Sequence, residues 1–424
     1  MATTVGRLAA LAAGIVILAT AAGTRADEKP SPLREELLKL NSAGSEDVQT
    51  AKLRALIKDR AKAKELLAEA NKMVKEAKDG DKPFNLNGVT ILGRAAHIVK
   101  QYDVAEKFYE QQVELASKIK SGPKMLAAYD NLIDLYFDAK RYQDALDKCE
   151  DFMDLRGPKE VEEAKPLILE KIVQATTKLG KTDEALGMVK RLLDNTDNSW
   201  YFLRLKGWVE RESGKTDAAI TTMTEVLDKL DAEKKLPAED KDRFKDAIRY
   251  TLSGLYVENK DIDKAAKQLQ TLIKRNPDRA TYKNDLGFIW CDNDMNLEES
   301  EKLIREAIEL DKKEQEKLKK EGKLDEVKPN AAYLDSLGWV LFKQKKYKEA
   351  LEPLKQATQD EDEGNHLEIW DHLGDCYEAL GQKKEAVAAW EKALKMEDLS
   401  KRDGERRRKV SEKLKKARAE ADKD

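Results

Sequence analysis

The stretch from Ala331 to Asp398 carries one residue pattern twice, at the same offsets. The first copy has Leu337-Gly338, Leu341, Tyr347, Ala350, Leu354 and Ala357. The second has Trp370, Leu373-Gly374, Tyr377, Gly381, Ala386, Trp390 and Ala393. A pattern of ~34 residues with three- and four-residue apolar spacing reads as two antiparallel helices joined by a turn. Gly338 and Gly374 are expected to face Ala350 and Ala386, where small residues let paired helices approach closely. Leu341 or Tyr377, with Leu354 or Trp390, would fill the space on either side. Ala357 and Ala393 would receive the first helix of the next unit. One hairpin cannot bury its apolar face alone, so such units must stack.

The rest of the chain supports helix throughout. Of 424 residues, 38% are charged, well above the ~25% usual in a compact globule. A thin layer of stacked helices exposes both faces and tolerates that load. Glycine and proline are sparse, at 21 and 10, so breakers are few. The 79 basic and 82 acidic residues nearly cancel, which leaves no global footprint for nucleic acid. Cys149, Cys291 and Cys376 are far apart, and each falls in an expected helix. They read as small buried hydrophobes and imply no disulfide framework.

Residues 1–26 read as a secretory signal peptide: Arg7, an apolar run from Leu8 to Ala22, and Thr24-Arg25-Ala26 before a cleavage point at Asp27. The run is shorter than the ~20 residues of a spanning helix, so no stable membrane span is expected after cleavage. No cysteine near the end of that run offers a lipid attachment point. Residues 27–85 are a polar leader and an N-terminal capping helix, stopped at Asp79-Gly80-Asp81. Four repeat units follow over 86–233, with starts near 86, 126, 166 and 200. A charged insertion spans 234–245. Units five and six occupy 246–314, and a charged helical insertion 315–329 turns at Gly322. Units seven and eight fill 330–400. Residues 401–424 form a charged capping helix, locally basic at Arg406-Arg407-Arg408-Lys409.

With eight units in phase over 86–400, the chain resembles the tetratricopeptide repeat proteins. The strings Asn284-Asp285-Leu286-Gly287, Asn296-Leu297-Glu298-Glu299 and Leu334-Asp335-Ser336-Leu337-Gly338-Trp339 are similar to a bacterial subset. Some of its members are periplasmic outer-membrane lipoproteins that act as adaptors for processing proteases. The resemblance implies an all-α right-handed α-solenoid of about eight helical hairpins, capped at both ends. It also implies a protein or peptide partner on the concave face. Positions 2, 5, 9, 12 and 13 of each first helix would face that hollow. They point to Tyr250, Val257, Phe288, Cys291, Asp335, Trp339, Phe342 and Lys343, with an acidic end at Asp371, Asp375 and Glu378. An apolar strip beside an acidic end suits a peptide with an apolar anchor and a basic flank.

No catalytic constellation emerges. His372 and Cys376 are four apart, but neither His97 nor His366 joins them on that face, and two ligands do not make a zinc site. There is no nucleophile elbow, zinc-protease motif or phosphate-cradling loop. No cofactor or metal is expected. Some eukaryotic cochaperones of this repeat class clamp a C-terminal carboxylate with Lys and Asn at positions 5 and 9. Here those positions hold Thr90 and Arg94, Asp130 and Asp134, Asn284 and Phe288, or Asp335 and Trp339. The expected function is therefore a non-catalytic exported scaffold or adaptor. The alternative is an accessory subunit of a cell-envelope or exopolysaccharide assembly or export complex, with a hydrolase a distant third.

Overall fold

The computed structural model describes residues 31–77, 82–196, 199–360, 364–396 and 401–421. The expected signal segment and the stop at Asp79-Gly80-Asp81 lie outside the described residues. Among the described residues the regular structure is helical, with no strands. The chain divides into two units, the first ending at Leu179 and the second spanning Gly180–Asp424.

The first unit opens with α1 (Pro32–Leu38), α2 (Glu46–Ile57) and α3 (Arg60–Glu76). Hairpins α4 (Leu86–Ile98) with α5 (Tyr102–Ile119) and α6 (Gly122–Asp138) with α7 (Tyr142–Asp154) follow, then α8 (Lys159–Lys178). The second unit starts with α9 (Thr182–Asp194). Five hairpins come next: α10 (Trp200–Glu212) with α11 (Thr216–Ala232), α12 (Ala238–Glu258) with α13 (Ile262–Arg275), α14 (Ala280–Asp292) with α15 (Leu297–Lys320), α16 (Ala331–Lys343) with α17 (Tyr347–Ala357), and α18 (Leu367–Ala379) with α19 (Lys383–Ala393). Helix α20 (Lys401–Ala421) ends the described chain. Within each unit, successive hairpins stack through buried apolar side chains.

Side chains cap the start of some helices, and backbone geometry closes the turns between paired ones. Asn85, Asp261 and Asn330 cap α4, α13 and α16 by accepting backbone N–H groups of the first turn. In six of the seven hairpins the turn passes through one left-handed residue, while the turn from α14 to α15 has two, Asp294 and Asn296. Gly214 and Gly381 take that place at φ +74°. Lysine takes it elsewhere: Lys100, Lys140, Lys260 and Lys345 lie at φ +57° to +63°. In each of these six turns the following N–H reaches back to a carbonyl five residues earlier, as Asp261 does to Tyr256 and Lys346 to Leu341. That closure satisfies a carbonyl the helix end leaves open.

In five of the seven pairs the helices touch where a glycine meets a large side chain, and at Gly338 the expected alanine is there too, with the Ala350 carbonyl 3.2 Å from where a Cβ would stand. A Cβ on Gly338 would lie 2.4 Å from Leu354 Cγ, and one on Gly374 would lie 2.4 Å from Trp390 Nε1. Ala350 and Ala386 are fully buried one turn earlier, but Leu354 and Trp390 are what the glycines admit. Gly93 against Tyr109, Gly207 against Met223 and Gly287 against Ile304 repeat the arrangement.

Three first helices start earlier than the repeat pattern suggests. Helix α6 begins at Gly122, and α8 runs through Pro166 from Lys159. The expected charged stretch 234–245 is helical from Ala238 onward and forms the opening of α12. Tertiary contacts hold it there. Phe244 packs on Trp200 at 4.9 Å between ring centroids, and Asp242 and Asp246 pair with Arg275 at 3.1 and 2.7 Å. In α8, buried Val161, Ala164 and Ile168 carry the apolar stripe across the proline.

The left-handed lysines carry a conformational cost that glycine would not. Lys260→Gly is expected to raise stability by about 0.5–1 kcal/mol. Lys267→Gly, at an exposed mid-helix position of α13, should lower it by about 1 kcal/mol. Opposite shifts of the thermal midpoint in the two variants check this.

Candidate functional site

In the second unit the first helices α12, α14, α16 and α18, then α20, stand in sequence and form a wall. The expected docking residues lie along it. They differ sharply in access. Tyr250 is 40% exposed. Val257, Phe288, Phe342, Lys343 and Asp375 are half-buried and Glu378 is exposed, whereas Cys291, Asp335, Trp339 and Asp371 are buried.

Trp339 is embedded in this wall. Its ring stacks on His372 at 3.9 Å and on Phe342 at 5.0 Å, both within 9° of parallel. Its Nε1–H donates to Asp292 Oδ1 at 3.2 Å. Lys343 Nζ sits 5.3 Å from the ring centroid and pairs with Asp294 at 2.8 Å. Cys291 is enclosed, and burial pushes its thiol well above the ordinary range, which makes it inert.

One polar contact recurs between consecutive first helices, and the residue pattern did not reveal it. The fifth residue of one helix bonds the sixth of the next, counting from repeat starts at 246, 331 and 367 and from Lys401. Tyr250 Oη–H donates to Asp285 at 2.7 Å. Asp335 accepts from His372 Nδ1 at 2.9 Å. Asp371 pairs with Arg406 at 3.1 Å. The first unit shows the same rung between α6 and α8, where Asp130 pairs with Lys171 at 2.7 Å. An aspartate stands at one end of each rung, while its partner changes from Tyr to His, Arg or Lys. Burial raises the Asp285 carboxyl above its ordinary value, with the Tyr250 hydrogen bond pulling the other way. For His372, burial lowers the pKa, but the Asp335 carboxylate raises it and prevails. Arg406 Nη1–H points at His372 Nε2 at 3.1 Å, which that nitrogen accepts only as neutral imidazole. The proton shared with Asp335 then resides on Nδ1.

The acidic end is already engaged. Arg406 bonds Glu368, Asp371 and His372. Lys413 Nζ lies 2.7 Å from Asp371 and 2.5 Å from Asp375. Burial and the neighbouring Asp371 raise the Asp375 carboxyl. Burial works against the Lys413 charge, and Asp375 with Asp371 overrides it and holds the amine above its ordinary value. The basic flank expected of a bound peptide is thus supplied by α20 of the chain itself. Among the described residues, no group of three His, Cys, Asp or Glu side chains is placed to hold a metal ion.

Trp339 is a packing residue of the wall. Trp339→Ala is expected to cost about 3–5 kcal/mol, read as a large drop in thermal midpoint, while half-buried Val257→Ala should leave the midpoint within a few degrees.

Comparisons with known proteins agree on the repeat. A family model described as "Anaphase-promoting complex, cyclosome, subunit 3" matches residues 316–393, and one described as "Tetratricopeptide repeat" matches 248–279. Over 112 residues the chain is 30% identical to TPR repeat-containing protein PA4667 of Pseudomonas aeruginosa, covering 26% of this chain and 16% of that protein. The chain therefore spans about a sixth of the length of the curated relative it matches. A solved tetratricopeptide repeat protein from Parabacteroides merdae aligns with TM-score 0.45 and 13% identity, over 72% of this chain and 98% of that one. MamA from Desulfovibrio magneticus aligns with TM-score 0.34 and 19% identity, over 45% of this chain and 92% of that one. The stacked hairpins are tetratricopeptide repeats, and the chain is a tetratricopeptide-repeat protein.

Proposed function

We propose that the chain is a non-catalytic scaffold that docks a segment of another protein against the first-helix wall of its second unit. The observation that carries this reading is the engagement of α20. Glu368, Asp371 and Asp375 hold the Arg406 and Lys413 side chains of a helix laid beside α18. A surface with that charge and spacing suits a basic helical segment. The other end of the wall, around Tyr250 and Val257, offers an accessible aromatic and an aliphatic side chain as apolar anchors.

The test is selection of a displayed random-peptide library on the full chain. Binders are expected to weaken at least tenfold on the double change Tyr250→Ala with Val257→Ala, with the helical circular dichroism unchanged. Binders indifferent to both changes would overturn the reading.

We also propose export, on the strength of the segment Arg7–Ala26. N-terminal sequencing of protein from its source cell should then begin at or near Asp27. An intact Met1 or Ala2 would refute it.

A further inference from the structure

We propose that α20 is an exchangeable occupant of the acidic end of the wall, and that the natural ligand of that end is a basic amphipathic helix of a partner protein which displaces it. This rests on the docking function proposed above and names the chemistry of the ligand. Four residues of α20 face the site: Arg406, Val410, Lys413 and Leu414. They sit at i, i+4, i+7 and i+8, the spacing of one helix face. Val410 and Leu414 are buried in the cluster with Ala386, Trp390 and Ala393. Lys413 Nζ also lies 6.0 Å from the centroid of the Trp390 ring, whose Nε1–H donates to Asp375 at 3.3 Å.

Three features make this helix replaceable. Its apolar grip is small: Val410 and Leu414 are its only buried large apolar side chains among the described residues. The rest of the attachment is polar: Arg407 donates to the Leu394 and Met396 carbonyls, and Arg406, Lys413 and Arg418 form ion pairs, the partly buried ones returning little net stability. Gly404 weakens the helix, since a Cβ there would meet nothing within 4 Å and no packing gain offsets the cost of glycine in a helix. Ionic attachment also makes the contact sensitive to salt. A resident helix on a short connection acts at an effective concentration of roughly millimolar. It therefore excludes weak competitors and yields to a partner that presents the same face with more apolar area.

The probe is a fluorescein-labelled synthetic peptide of residues 401–421, added to the full chain. Wild type should take up the peptide poorly, because its own helix competes. The full chain carrying Arg406→Ala and Lys413→Ala should bind it at least tenfold more tightly, and adding Asp371→Asn with Asp375→Asn should abolish the gain. A peptide with the same composition in scrambled order should not bind. Wild-type hydrogen exchange supplies an arm that does not depend on variants folding: raising salt from about 50 mM to 0.5 M should accelerate exchange in 401–421 ahead of α18 and α19. Exchange in 401–421 that stays as slow as in α18 at both salts would show a permanent cap and overturn the proposal. So would a released helix in the double variant with no peptide uptake. Peptide-dependent or spontaneous dimers in sedimentation would overturn it in favour of helix exchange between copies. Failure here leaves the Tyr250 and Val257 end untouched, whereas library binders indifferent to that end would refute the docking function itself.

Discussion

Five of the seven hairpins described above close with a glycine backbone pressed against a large side chain. Gly374 meets the Trp390 indole and Gly338 meets Leu354, at distances that leave no room for a Cβ. The approach has two consequences. It sets the separation of the paired helices, because the large residue needs the space that the missing side chain vacates. It also fixes which face of the first helix is used up inside the pair. The opposite face is left to meet the next first helix, and the wall is the accumulation of those faces.

The energetics of wall and core differ. The second helices bury Ala350, Leu354, Ala357, Ala386, Trp390 and Ala393, where the driving force is removal of apolar surface from water. The wall instead carries polar rungs, several with a buried charge. A buried ion pair roughly breaks even against an apolar pair of the same shape, but removing one partner strands the other at a cost of several kcal/mol. The rungs therefore contribute little to total stability and much to pairing. Asp335 is satisfied by His372 and not by another first helix, and Asp371 by Arg406. In a chain of similar hairpins, that selectivity opposes stacking out of order.

Much of this was legible in the sequence, and the rest was hidden for definable reasons. Hairpin boundaries from Leu86 and Trp200 onward followed from apolar periodicity, which depends only on near neighbours in the chain. The early starts of α6, α8 and α12 did not. They rest on contacts such as Phe244 with Trp200 and Asp246 with Arg275, which the local pattern does not encode. The glycines were found, and Ala350 does lie at Gly338, but the large side chains pressed on the glycines, Leu354 and Trp390, were not matched to them, because consensus spacing says which positions are small and not which side chain leans into the gap. The rungs escaped because their ends lie 35 to 41 residues apart and only an aspartate is common to them, in a chain full of carboxylates. The engagement of the acidic end by α20 escaped for a related reason. Arg406 and Lys413 look like ordinary solvated charges until the carboxylates they meet are placed beside them.

The step from α14 to α16 shows what a rung does by lacking one. There the fifth residue is Asn284, whose Oδ1 is buried without a hydrogen-bond partner, and the sixth of the next helix is Ser336, which bonds its own helix at the Ala332 carbonyl. The connection is made further along instead, by Trp339 Nε1–H on Asp292 and Lys343 on Asp294. Those bonds draw the Trp339 ring into the wall and against His372. Trp339, one of the expected docking residues, is thereby consumed in joining two helices. The rung at Tyr250 has the opposite effect. Its hydroxyl reaches Asp285 while 40% of the residue stays exposed, so the ring is held in place without being covered. A side chain fixed at its tip, with its ring 5.5 Å from that of Tyr282 and still partly exposed, has lost rotamer freedom before any ligand arrives, and binding there would not bear that entropy cost again. By this physical criterion Tyr250 is the held and accessible ring of the wall and Trp339 the packed one.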